Sequence, residues 1–119
     1  MSTDDVHRFL PLHPLEFRIL ISLMGEEARH GYAIVKAIEE SEPSWSRVLP
    51  ANLYRRIRDL RGRGLVEDSS APTGEGERRK YFGLTSLGHR VARAEALRLQ
   101  ALVGEAAAAD LLPGGGAER

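Results

Sequence analysis

The 119-residue chain predicts a mainly α fold with one small β-hairpin, and three observations carry that expectation. Four stretches, at about 14–24, 30–41, 50–61 and 85–112, repeat apolar residues at helical spacing. Between the third and fourth, Leu65-Val66-Glu67-Asp68 and Arg79-Lys80-Tyr81-Phe82-Gly83-Leu84 read as short strands around a polar, turn-rich segment, Ser69 to Gly76. There is no cysteine, so the 42% of hydrophobic residues must supply a core without disulfides or thiolate metal sites. The length is that of one domain.

The first helix opens at His13-Pro14-Leu15-Glu16, with Pro14 placed where its missing N–H costs nothing. Leu15, Phe17, Ile19, Leu20, Ile21, Leu23 and Met24 fall on nearly every side of it. A helix apolar all round needs cover on more than one side, and in so small a chain the second cover is expected from another subunit. Gly25 stops it. The second helix runs from His30-Gly31-Tyr32 to about Ser41, with Tyr32, Val35 and Ile38 inward and Lys36, Glu39 and Glu40 outward, until Glu42-Pro43-Ser44 breaks it. The third begins near Pro50 and ends near Arg61, where Gly62 and Gly64 supply the stop; Leu53, Ile57 and Leu60 form its inward stripe. Thr85 caps the last helix, which carries Leu87, Val91, Leu97, Leu99, Leu102 and Val103 to about Leu112 and ends at Pro113-Gly114-Gly115-Gly116.

Three helices, a hairpin and one further helix are the order of a winged helix-turn-helix with an added C-terminal helix. The expected divisions are a flexible lead-in over residues 1–13, a winged helix-turn-helix domain over 14–84, a C-terminal dimerisation helix over 85–112 and a disordered tail over 113–119. A four-helix bundle fails on the Gly- and Pro-containing segment at 69–76 and on the strand-like residues after it.

The formal net charge is zero, yet charge is unevenly spread. Residues 1–46 hold four basic and eight acidic side chains, residues 47–98 twelve and six, and residues 99–119 one and three. A basic block between acidic flanks can steer a polyanion even when the whole chain is neutral. Five of the six charged side chains from 55 to 63 are arginines. On a helical wheel centred on Leu53, the outer face of the third helix carries Ala51, Arg55, Arg58 and Gly62, with Asn52 and Asp59 on a shoulder and Tyr54, Arg56, Arg61 and Arg63 on the flanks. Small residues where backbones approach, long cations beyond them and an apolar back suit a helix in the major groove. Arg55 and Arg58 are expected at or near base edges, Asn52 suits adenine, and Tyr54, Arg56 and Arg61 suit phosphates. Arg78, Arg79 and Lys80 would let the hairpin reach the flanking backbone. The competing reading is a solvated basic face.

His30-Gly31 at a helix start suits one phosphate, or else a glycine required for close packing, and both readings stand. Lys36 joins the outward candidates. Trp45 is read as a loop aromatic against the core in preference to a ligand or DNA contact. His7, His13, His30 and His89 share no metal spacing, no catalytic constellation or phosphate loop is present, and no cofactor is expected. The start, Met1-Ser2-Thr3-Asp4-Asp5, is acidic where a signal peptide would be basic, and no apolar run approaches a bilayer span, so a cytoplasmic, non-membrane protein is expected.

Five segments in order carry a family resemblance: Leu15-Glu16-Phe17-Arg18-Ile19-Leu20, His30-Gly31-Tyr32-Ala33-Ile34, Leu53-Tyr54-Arg55-Arg56-Ile57, Gly64-Leu65-Val66, and Arg78 to Thr85 with Gly88. Together they resemble the PadR family of transcriptional regulators over about residues 12–103. The resemblance implies a winged-helix homodimer that binds a palindromic operator on double-stranded DNA and usually represses, in the shorter branch with one long helix after the wing. It maps the recognition Leu-Tyr-Arg onto Leu53, Tyr54 and Arg55, and the wing onto Arg79 and Lys80. It also implies packing of the last helix on the partner's first, which names Leu15, Ile19, Leu23, Val91, Leu99, Leu102 and Val103 as interface candidates. The expected function is a dimeric, sequence-specific DNA-binding repressor released by a small-molecule or other effector. The alternative, prompted by the neutral total charge and acidic flanks, is a winged-helix module that binds protein.

Overall fold

In the computed structural model, residues 6–25, 29–41, 50–69 and 81–113 are described, with the backbone alone at 29, 30, 41, 50 and 51. The elements are α1 (Pro14–Ser22), β1 (Arg29–His30), α2 (Gly31–Ser41), α3 (Pro50–Gly62), β2 (Val66–Ser69), β3 (Tyr81–Leu84) and α4 (Ser86–Ala108). The mainly α, winged helix-turn-helix expectation holds. The hairpin β2–β3 pairs Val66 with Leu84 and Ser69 with Tyr81. Its sheet has a third strand that the sequence reading left inside a helix start: β1 pairs Arg29 with Phe82 and His30 with Tyr81, giving the order β1-β3-β2. A two-residue strand has no period to detect, which is why it escaped notice.

Three helix ends have a clear local cause. At the start of α1, Leu15 N–H donates to His13 Nδ1 at 3.0 Å and His13 N–H donates to Glu16 Oε1 at 3.2 Å. α3 closes in a Schellman turn: Leu65 N–H donates to the Leu60 carbonyl and Gly64 N–H to that of Arg61, with Gly64 at φ +83°. Gly62, expected to share in the stop, is the last helical residue instead. α4 ends at Ala108, short of the expected Leu112, because the same turn forms around Asp110 at φ +63°, where Leu111 N–H donates to the Ala106 carbonyl. The tail expected beyond Pro113 lies outside the described residues.

The core gathers Ile19 and Leu20 of α1, Ile34 and Ile38 of α2, Leu53, Ile57 and Leu60 of α3, Leu65, Val66 and Phe82 of the sheet, and Val91 and Ala92 of α4. Tyr32, read as core, is 63% exposed, and the inward face of α2 is Ile34 and Ile38. The lead-in is also corrected: Val6 and Leu12 are buried in the same core, with Phe9 and Leu10 packed against it. Four hydrophobic residues in eight give this segment enough apolar area to pack despite its lack of helical period.

A buried carboxylate ties that segment down. Glu95 of α4 has a side chain only 2% exposed; its Oε2 accepts from Leu12 N–H at 3.2 Å, and Arg98 donates to both carboxylate oxygens at 2.7 and 2.9 Å. The Arg98 hydrogen bonds hold the Glu95 carboxyl below its ordinary value of 4.5, against burial, with help from Leu12 N–H. A depressed carboxyl stabilises the fold above pH 4.5 and loses that contribution as pH falls through the lowered folded value. Glu95→Gln is therefore expected to cost about 1–3 kcal/mol at pH 7, the range for disrupting a buried hydrogen-bonded group. Urea unfolding from pH 7 to pH 3 should show the gap between variant and parent closing at the acid end.

Candidate nucleic-acid interface

α3 is anchored from behind by Leu53, Ile57 and Leu60, each at most 1% exposed, so its opposite face is fixed toward solvent. Asn52, Tyr54, Arg55, Arg58 and Asp59 are exposed there. Arg55 Nη2 donates to Asn52 Oδ1 at 3.3 Å, coupling two of the three residues expected to read bases. Arg58 has no hydrogen bond or ion pair with any described residue. Gly62 has nothing within 4 Å of where a Cβ would stand, leaving space for a close approach. Arg55, Arg56, Arg58, Asp59, Gly62 and Arg63 line an open groove of about 670 Å³.

The remaining arginines are engaged within the chain. Arg56 Nη1 lies 3.3 Å and Arg63 Nη2 2.7 Å from Glu16 Oε2, and the Glu16 side chain is 8% exposed. Arg63 also meets Asp59 at 3.3 Å. Arg61 Nη1 donates to Asp68 Oδ1 of β2 at 2.7 Å. Thus Arg56 and Arg61, expected on phosphates, are held by carboxylates that the helical wheel could not place opposite them. Glu16 is the groove-side partner that the sequence does not place against α3; a single acid within an apolar helix is the available signal.

Gly31 resolves the packing half of its two readings. A Cβ there would collide with the Tyr54 ring and hydroxyl, so the bare backbone at the start of α2 is what seats Tyr54 on α3. Tyr54 remains 40% exposed beyond that contact. Lys36 Nζ stands 5.9 Å from the Tyr32 ring centroid, on an exposed face of α2. His30 is in β1 with only its backbone described, and the Ala51 side chain, Trp45, Arg78, Arg79 and Lys80 lie outside the described residues.

The interface candidates divide. Leu15, Ile19, Leu23 and Val91 are buried in the chain's own core, at 4% exposure or less, and are not a surface for a partner. The resemblance names them without showing that the chain's own helices and lead-in already cover them. Leu102 and Val103 are about half exposed, and Leu99 is partly exposed. They continue the α4 face that buries Gly88, Ala92 and Glu95 further up the helix. Ile21 on α1 and Met24 just beyond its end remain exposed. Among the described residues no helix is long and apolar enough to cross a membrane, and no group of three His, Asp or Glu side chains is placed to hold a metal.

Residues 19–94 match the model of the transcriptional regulator PadR-like family. RosR from H. salinarum is similar at 29% identity, over 85% of this chain and 98% of that chain, with a TM-score of 0.59. A MarR mutant from E. coli matches at 16% identity over 92% of this chain and 73% of that chain, with a TM-score of 0.70. BpsR from Bordetella bronchiseptica, described for the regulation of its DNA binding by 6-hydroxynicotinic acid, matches at 20% identity, 95% and 75% coverage, and a TM-score of 0.64. At these identities the last two bear on the fold alone. No curated protein matches the sequence.

Gly31→Ala is expected to destabilise the chain by about 1 kcal/mol, since the exposed Tyr54 ring can turn away at the cost of a strained rotamer. In a Tyr54→Ala background the same change should be neutral or stabilising, because alanine is the better helix former. The double-mutant cycle, measured by denaturant unfolding, reads that coupling directly.

Proposed function

Because the chain belongs to the PadR-like family of transcriptional regulators, we propose that it binds a palindromic operator as a homodimer and represses transcription. The observation that carries this reading is the exposed outer face of α3, where Arg55 and Arg58 make no ion pair with any described carboxylate and stand with Asn52 on a rigid apolar back. Arg58 and Arg55 read bases in the major groove; Tyr54, beside them, meets the backbone. The segment holding Arg78, Arg79 and Lys80 follows β2 in sequence and supplies the wing cations, and Lys36 and His30 add further contacts to the DNA backbone.

The dimer forms through the lower half of α4. Leu99, Leu102 and Val103 prolong a stripe that packs inside the domain at Val91 and Ala92, and a second copy covers them. Two recognition helices then enter successive major grooves about one helical turn apart. A small-molecule effector that favours a dimer of different spacing releases the operator, in the manner of BpsR, a protein of like fold whose DNA binding is regulated by 6-hydroxynicotinic acid. The chain works in the cytoplasm, with the DNA it regulates. Family and neighbours are regulators rather than enzymes.

The decisive experiment selects duplexes from a random pool and titrates the winner beside a scrambled control. Arg58→Ala and Arg55→Ala should each weaken binding to the selected duplex by about 1–3 kcal/mol. Unchanged binding would return α3 to the reading of a protein-docking or merely solvated face. Leu102→Asp should convert dimer to monomer in sedimentation and bind the selected duplex feebly; a variant that stays dimeric would overturn the α4 interface.

A further inference from the structure

Glu16 joins α1 to the flank of the recognition helix in a way that packing alone does not require. Its carboxylate is almost wholly buried and takes three donors: His13 N–H on Oε1, and Arg56 and Arg63 on Oε2. An apolar pair could join two helices as firmly without desolvating a charge. What the carboxylate adds is control of where two long cations point. Arg56 and Arg63 lie on the same groove as Arg55 and Arg58, so without Glu16 Arg56 would lose its described partner and Arg63 would keep only its exposed, weakly holding ion pair with Asp59. Arg63 is held closely enough that its Nε is buried without a partner.

We propose that Glu16 is a positioning residue that sets sequence discrimination, by withholding Arg56 and Arg63 from DNA phosphates so that Arg55 and Arg58 dominate the contact. The inference rests on the operator-binding reading above. Phosphate contacts strengthen binding to every sequence alike, whereas base contacts strengthen it to one. Two additional arginines on the backbone would raise affinity for all DNA and dilute the preference carried by the outer face.

The test is Glu16→Gln, which keeps shape and an acceptor for His13 N–H but loses the charge that holds both arginines. Binding to the selected and scrambled duplexes is titrated across salt concentrations. The scrambled duplex should be bound about fivefold more tightly per released arginine at about 0.15 M salt, and the logarithmic salt slope should steepen by about 0.9 for each. The ratio between duplexes should fall. Adding Arg56→Gln and Arg63→Gln to that variant should return slope and ratio to the parent values, which a purely structural role for Glu16 would not do. A variant with the parent's slope and ratio overturns the inference. Should Glu16→Gln melt below assay temperature, Arg63→Gln in the native chain decides: an unchanged slope supports withholding, and a slope shallower by about 0.9 overturns it. A parent chain that prefers no duplex overturns the operator reading and this inference together; a discriminating parent with an indifferent variant overturns this inference alone.

Discussion

The placement of α3 against the long C-terminal helix depends on one crossing, where the backbone leaving α3 runs against the first turn of α4. The Leu65 carbonyl accepts from Thr85 N–H at 3.2 Å, while the Thr85 hydroxyl donates to the Gly64 carbonyl at 2.7 Å and accepts from Gly88 N–H at 2.8 Å. The approach is so close that a Cβ on Gly88 would collide with the Leu65 carbonyl. Gly64 completes the crossing from the other side by closing α3 in a left-handed turn. Two glycines and one threonine, separated by the wing in sequence, thereby fix the relation between α3, the helix proposed to face DNA, and α4, the helix proposed to meet a second copy.

That relation gives the family resemblance a physical content. Gly64-Leu65-Val66 and Thr85 with Gly88 were noted as separate motifs, and they meet at a single contact. Gly31-Tyr32 and Leu53-Tyr54 behave likewise, since Gly31 is the seat of the Tyr54 ring. Motifs that look like independent signatures are the two halves of close backbone approaches, which explains why each alone is uninformative and the set is distinctive.

The helical elements and the inward stripe of α3 were legible because apolar period and stop signals agree there. Much of the remainder was not. The strand β1 is too short for periodicity, and residues 6–13 pack through scattered hydrophobic residues with no repeat. Tyr32 satisfied the period of α2 and still faces solvent, because an aromatic beside a cation can sit in water at little cost. The candidate site was legible as a basic face but not as a sorted one. A helical wheel ranks arginines by angle alone, and it takes tertiary structure to reveal that Glu16 and Asp68 engage Arg56, Arg61 and Arg63 while Arg55 and Arg58 stay outward. The zero net charge was similarly uninformative, since part of the acidic complement serves to neutralise chosen cations.

The bond from Leu12 to Glu95 spans 83 residues, so almost the entire winged helix lies inside the loop it closes. Such a contact is reached only after the intervening elements have already drawn the chain together, because the entropy of closing the loop must be met first. It belongs among the last interactions to form and the first to open. Its weight accordingly falls on the lifetime of the folded chain rather than on the speed with which the fold is reached.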